Sequence, residues 1–566
     1  MHRLESTGAD MLVAAFRILA SGPAHRFAVL CLALALLTGP AIAQEGRGST
    51  PIPSFPELEA AGAVIGEIRI DNQNIFDLDN PKENGALYQL ANKLHIRTRP
   101  EVIRRALLFK TGEPLSARLI EETERLLRGN HYLYDVRLRP VAYYNGIVDI
   151  EVTTRDTWTL SPGFNFSRQG GSNTTGLTLN EYNLLGTGIS LGLARTSDVD
   201  RTGQEFMFSR ANAFDGWTNI EYRHANFDDG QRNFFTLNRP FYSLDTRWAA
   251  GVTAGTDERI DSIYSSSSII GQYRHKSKSG EVYGGYSNGL VNGWTHRYSL
   301  GIHYQDDDYR TDPTLPPPPQ VPLDLKQVGP FVRYEAVEDN FVKVKNRNFI
   351  ERAEYFALGF NSTVQLGRAM TALGSTRDLW NYSATVSDGF AFAGNHNLLA
   401  SAYANGKYGG DGGEHQFAGI GAKYYRPHGQ NRLFFASLSM DTITNGDAAD
   451  QLLLGGDNGL RGYPLRYQTG THRALMSLEQ RVYTDWYPFQ LFRVGGAVFF
   501  DYGRAWGGVN QNTANPGWLS DIGFGLRILN ARSAKGKVTH IDVAFPLSSD
   551  PAIKSYQLLV KTKISF

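Results

Sequence analysis

Cysteine is almost absent from this chain: Cys31 is the single one in 566 residues. That excludes an internal disulfide, a thiolate metal centre and, if the segment holding Cys31 is removed, a cysteine nucleophile. Long apolar runs are also missing. Beyond residue 43 nothing approaches the roughly 18–20 uninterrupted apolar residues that a spanning helix requires, and the mean hydropathy of −0.33 argues against a helical membrane protein. A charge excess is lacking too. Segment 1–43 holds three of the 57 basic and two of the 56 acidic residues, which leaves 54 of each. A balanced chain gives no electrostatic case for nucleic acid. Finally, there is no Gly-x-Ser-x-Gly, no His-Glu-x-x-His and no phosphate loop, so no enzyme, cofactor or metal site is expected.

The one apolar run, Phe27–Leu37, follows Arg26 and precedes Gly39-Pro40 and Ala41-Ile42-Ala43. Charge, apolar core and small residues in that order spell a secretory signal cleaved after Ala43, leaving Gln44 first; the alternative is an uncleaved anchor. The long leader before Arg26 is compatible with a start at Met11. Leu30 before Cys31 argues against a lipoprotein cleavage site.

What is abundant is glycine (59), tyrosine (28) and phenylalanine (31). From Trp158 onward they fall into alternating segments with turns at Gly170-Gly171, Asp228-Asp229-Gly230 and Asn292-Gly293. In 493–506, Val494, Val498, Phe500, Tyr502 and Trp506 share one face, and Gly495, Ala497, Asp501 and Gly503 the other. Ile522, Phe524, Leu526 and Ile528 repeat this against Asp521, Gly523, Gly525 and Arg527. So do Ile541, Val543 and Phe545 against His540, Asp542 and Ala544. The last segment sets Tyr556, Leu558, Val560, Ile564 and Phe566 against Gln557, Lys561, Lys563 and Ser565. A soluble sandwich also alternates, but it does not need lysine, aspartate and glycine opposite aromatics in nearly every strand. A barrel with hydrocarbon outside and water inside does. The pattern predicts a transmembrane antiparallel β-barrel over 157–566. Eighteen to twenty-one candidate strands can be counted, an upper bound because a glycine-broken strand counts twice.

Ahead of the barrel, 44–60 with Pro51, Pro53 and Pro56 reads as a flexible linker, and 61–156 as a small α+β domain. Ile65–Ile70 alternates as a strand. Thr98-Arg-Pro-Glu101 has a capping-box spelling before the helical stripe Val102, Ile103, Ala106 and Leu107. Ser116 is the next N-cap, before the stripe Leu119, Ile120, Thr123, Leu126 and Leu127. Leu133–Val141 and Gly146–Thr153 form a hairpin about Asn145-Gly146. The order is strand, helix, helix, strand, strand. Asp306, Asp307, Asp308 and Asp312 fall in one expected long loop with the prolines of Leu315–Pro322, without the spacing of a calcium loop.

The spelling Pro-Glu-Val-Ile-Arg-Arg-Ala-Leu-Leu-Phe-Lys-Thr-Gly-Glu-Pro-Leu-Ser in that element order resembles a single POTRA domain; any small α+β domain is the bland alternative. Leu460-Arg461-Gly462-Tyr463 in a glycine-rich loop, Glu479, Asp501-Tyr-Gly503 and the aromatic C-terminus resemble the outer-membrane protein assembly superfamily, the BamA, TamA, bacterial surface antigen and two-partner secretion group. The resemblance implies about 16 strands and a loop, here about 452–470, folded into the lumen. It implies that Arg461 of that loop docks on Asp501 and Glu479. Chemistry agrees: a guanidinium fork satisfies two carboxylates, and Gly459 and Gly462 permit close approach. The alternative is a solvated hairpin with Glu479 paired to Arg481.

The resemblance also implies a weak seam between first and last strands. Pro162, which cannot donate to a ladder, then leaves a seam hydrogen bond missing, bulges the strand, or sits at the strand's solvent end. The implied function is outer-membrane protein assembly or insertion, by pairing client strands at the POTRA edge and the seam. A protein secretion pore and a passive diffusion channel are the alternatives. The implied partners are unfolded outer-membrane or secreted client proteins, outer-membrane lipid and a periplasmic or inner-membrane accessory protein.

Overall fold

The computed structural model describes residues 52–410, 412–508, 517–533 and 537–563, the side chain of Asn165 excepted. The expected signal segment, Ile564 and Phe566 lie outside the described residues.

The first unit of structure is a small α/β domain. Its elements are α1 (Phe55–Ala60), β1 (Val64–Gln73), α2 (Ala86–Leu94), α3 (Pro100–Arg104), α4 (Ala117–Gly129), β2 (Leu133–Tyr144) and β3 (Ile147–Asp156). β3 is central, parallel to β1 and antiparallel to β2. The β2–β3 turn takes Asn145 and Gly146 through φ 50° and 77°, the mirror-image turn that matches strand twist. One face of the sheet and the helices enclose Ile65, Ile68, Ile103, Leu127, Val136, Val148 and Ile150. Each such side chain contributes roughly 1.5–3 kcal/mol by leaving water.

Three expectations are corrected here. The end of the supposed linker is α1, whose Leu58 is fully buried in this core. A helix, α2, stands where no periodicity was read, because its apolar residues face outward. Thr98 does not cap a helix: its N–H and hydroxyl donate to Asp156 at 2.7 and 2.9 Å, and Arg99 occupies the cap position without a side-chain capping bond. Ser116 does cap α4, accepting from Leu119 N–H.

Twenty strands then close an antiparallel barrel. The first ten are β4 (Leu160–Gln169), β5 (Ser172–Glu181), β6 (Ile189–Ser197), β7 (Thr202–Ala213), β8 (Thr218–Phe227), β9 (Gln231–Arg239), β10 (Trp248–Ser265), β11 (Ser268–Val291), β12 (Trp294–Arg310) and β13 (Leu325–Glu338). A two-stranded hairpin of β14 (Phe341–Lys345) and β15 (Ala353–Ala357) interrupts the meander. The wall resumes with β16 (Asn361–Ala369), β17 (Leu379–Phe392), β18 (His396–Gly409), β19 (Gly412–His428) and β20 (Arg432–Thr444). A second small hairpin, β21 (Leu452–Leu454) and β22 (Gln468–Gly470), precedes β23 (His472–Tyr483), β24 (Phe492–Trp506), β25 (Leu519–Asn530), β26 (Val538–Pro546) and β27 (Gln557–Lys563).

The expected count of about 16 is therefore corrected to 20. The turn expected at Gly170-Gly171 closes β4 onto β5 with positive φ, whereas glycines such as Gly280 and Gly284 lie inside the continuous strand β11. Asp306, Asp307 and Asp308 sit in β12 and not in a loop.

The alternation sorts side chains as hydrocarbon and water demand. On β25, Ile522, Phe524 and Leu526 are at least half exposed, whereas Asp521 and Arg527 on either side of them are fully buried. An outward apolar face and an inward charged face cross a membrane; no described helix is long and apolar enough to do so. The chain enters β4 from the small domain, so alternation places the 445–471 loop at the far mouth and the β14–β15 hairpin at the domain-side mouth.

Candidate functional site: the lumen clasp and the seam

β23, β24 and β25 stand side by side, and their register sets Ser477, Asp501 and Asp521 in one row across the inner wall, with Glu479 opposite Phe499. Onto this row descends the 452–470 loop. Leu454, Leu460 and Tyr463 are fully buried against Ala505 and Leu519 of the wall, which fixes the loop before any charge is considered.

At its tip Arg461 Nε donates to Asp501 Oδ2 at 2.7 Å and Nη2 to Oδ1 at 2.8 Å. Nη1 reaches Glu479 Oε1 at 2.9 Å and Nη2 reaches Ser477 Oγ at 3.1 Å. The guanidinium lies 3.4 Å over the Phe499 ring. Glu479 also accepts from Arg481 Nε at 2.9 Å, so the loop pairing and the same-strand pairing coexist on its two oxygens. Gly462 N–H donates to Asp521 at 3.0 Å and Tyr463 hydroxyl to Ser520 carbonyl at 3.0 Å. Asp542 stands 3.8 Å from Arg461 and pairs with Arg527. Three arginines thus interlock with the three acids Glu479, Asp501 and Asp542 where water is excluded, and there such charges are tolerated only when paired, while Asp521 is held by the Gly462 N–H.

Two glycines allow the approach. A Cβ on Gly462 would come within 2.8 Å of Asp521 Cβ and 2.9 Å of Pro546 N, backbone that cannot yield; Gly459 has φ 116°. Gly462→Ala is expected to weaken docking by about 1–3 kcal/mol, seen as faster proteolysis of the 452–470 loop with the barrel left folded. Gly503 faces the lumen beside Leu454 of the same loop.

Past the tip the loop bridges the mouth. Arg466 Nη1 donates to Asp200 at 2.8 Å, Leu465 approaches Gly170, and Ser267 donates to the Arg466 carbonyl. It is a lid tied to both sides of the wall.

Sequence reasoning placed Asp521 and Asp542 on the inner face but could not tell which acids converge, because register is not written in alternation. It missed the β14–β15 hairpin altogether. Ile350, Phe356 and Leu358 of this segment pack with Tyr425, Phe435 and Tyr483 inside the domain-side mouth. The Arg347 carbonyl accepts from Arg481 Nη1 at 2.9 Å. At the hairpin's other end Lys343 Nζ and Tyr355 hydroxyl donate to Glu124 of α4, at 2.6 and 3.2 Å. Contacts therefore run unbroken from α4 through hairpin, Arg481 and Glu479 to Arg461.

The wall closes between β27 and β4. Among the described residues this ladder gives one residue pair, Val560 with Arg168, against ten for β4–β5 and seven for β26–β27. Pro162 is the third residue of β4, near its domain-side end, opposite Leu179 in an unbulged ladder. Leu558 is exposed, Val560 half-buried, and Tyr556 lies exposed just before β27.

No family model and no curated protein sequence matches the chain. Solved structures align along most of it. BamA from Haemophilus ducreyi lacking POTRA domains 1-3 is 12% identical over 88% of this chain and 84% of that one, with a TM-score of 0.37. CdiB from Escherichia coli is 12% identical over 88% and 76%, at 0.42. CdiB from Acinetobacter baumannii is 10% identical over 88% and 73%, at 0.39. With TM-scores below 0.5 these likenesses decide nothing about function.

Proposed function

We propose that the protein is a bacterial outer-membrane assembly or insertion factor, with the small domain acting as a single periplasmic POTRA domain. The observation that carries this reading is the seam. A strand pair held by so short a ladder is the place where a client's extended chain can add, because main-chain hydrogen bonds pair strands whatever their sequence. The client is an unfolded outer-membrane protein, delivered along the outer edge of β2 in the small domain's sheet, and lipid receives the product. No covalent bond is made or broken, so the machine needs no cofactor.

A secreted client passing through the lumen is the second reading, and the lid gives it substance: a clasp that closes one mouth is a gate. The β14–β15 hairpin packed against the wall inside the other mouth counts against an open diffusion channel. An accessory protein docking near α4 would act on the lid through the hairpin. Depletion of the protein, followed by comparison of the outer-membrane proteome, tests the assignment. Loss of other barrels is the expected result; loss of one secreted protein would favour the pore, and no change would refute both.

A further inference from the structure

Helix α2 is built inside out. Its polar side faces the domain: Asn92 Nδ2 donates to the Phe76 carbonyl at 2.8 Å, its Oδ1 accepts from Phe76 N–H at 3.0 Å, and the Tyr88 ring packs on Phe76. Its apolar side faces out. Leu87, Leu90 and Leu94, spaced i, i+3 and i+7, are 63%, 52% and 65% exposed, and Ile96 just beyond is 53% exposed. A helix on a water-facing domain turns such a stripe inward.

Its position is set at both ends by barrel turns. Before the helix, Arg532 in the β25–β26 turn donates to Glu83 at 2.6 Å and to the Ile75 carbonyl at 3.1 Å. After it, Arg99 N–H donates to the Gly186 carbonyl at 2.9 Å and Arg99 Nε to the Leu185 carbonyl at 3.2 Å, both in the β5–β6 turn. Between those turns the wall consists of β26, β27, β4 and β5. The segment holding α2 therefore bridges the domain-side rim across the seam. Leu185 in the adjoining turn is 55% exposed and continues the outward apolar face of Leu160 and Leu179. The charged residues from 84 to 99 are Lys93, Arg97 and Arg99, all exposed, with no acid among them.

We propose that α2 is a membrane-docking helix. Its leucine stripe enters the boundary between headgroups and acyl chains beside the seam, and the three basic residues meet acidic phospholipid headgroups. The segment carrying the stripe is tied through Arg99 to the turn whose Leu185 adjoins the lipid-facing belt, which makes lipid its occupant. The inference requires only that the barrel span a membrane and holds whether the protein assembles, secretes or conducts.

The test uses the full chain with Cys31→Ser, carrying Leu90→Cys or, as control, Arg137→Cys on the exposed face of β2. Each is labelled with an environment-sensitive fluorophore and reconstituted in phosphatidylethanolamine–phosphatidylglycerol vesicles with or without brominated acyl chains. The label at 90 is expected to shift to the blue and lose most of its emission to brominated lipid, while the label at 137 stays open to aqueous iodide. Equal iodide access at both positions would overturn the proposal. So would a blue shift at 90 without lipid quenching, which would mean that protein covers the stripe.

Discussion

Arg461→Ala is expected to free the lid. The substitution strands Asp501 and Glu479 on a dry wall, and breaking a buried pair on one side costs about 3–5 kcal/mol because the remaining charge has no solvent. Arg481 still answers one oxygen of Glu479, and Ser477 hydroxyl still donates to Asp501 at 2.6 Å, so the barrel should stay closed. The loss should fall on the loop. Protease added from the lid side should cut within 452–470 in the variant and spare the parent, and the thermal midpoint should drop. Arg461→Lys should not restore protection, since an ammonium cannot reach Asp501 bidentately and Glu479 together. If the alanine variant resists protease as the parent does, the apolar anchors Leu454, Leu460 and Tyr463 suffice, and the clasp does not hold the lid.

Closing the seam with a covalent bond is expected to abolish assembly while sparing the fold. Val560 and Arg168 face each other directly, so Val560→Cys with Arg168→Cys brings two thiols to opposed positions on adjacent strands. Cys31→Ser in the same chain removes the one competing thiol. Oxidised protein in vesicles should insert an unfolded barrel client at background level, and reductant should return the rate to that of the parent. Each single cysteine should behave as the parent does. Full activity of the oxidised protein would remove the seam from the mechanism, and a lumen route would then be preferred.

Much of the wall was legible in the sequence because a barrel in lipid exposes its alternation on both faces. Phe524 and Asp521 could be assigned to opposite sides from three residues of spacing. The strand number was less accessible: residues alone allowed 20, and the discount for glycine-broken strands, with the family's 16, pulled the expectation down. At the clasp, Arg461, Glu479 and Asp501 could be named, yet Ser477, Phe499 and Asp521 could not, since their meeting depends on register between β23, β24 and β25. α2 escaped because the pattern search sought a buried stripe, and Leu87, Leu90 and Leu94 are not buried. The β14–β15 hairpin escaped because five-residue strands look like a turn until Ile350 and Phe356 find the lumen.

Strand length varies around the wall, and the strands on one flank of the seam are among the short ones. β4 and β5 have ten residues and β6 nine, whereas β11, on the far side of β10, has 24. Ten residues at a 45° tilt rise only about 23 Å, short of the roughly 30 Å of hydrocarbon in an ordinary bilayer. The mismatch falls beside the ladder with the fewest pairs among the described residues. Lipid packed there must thin and splay its tails, and under the proposed assembly role that lowers the barrier to an incoming hairpin on that flank.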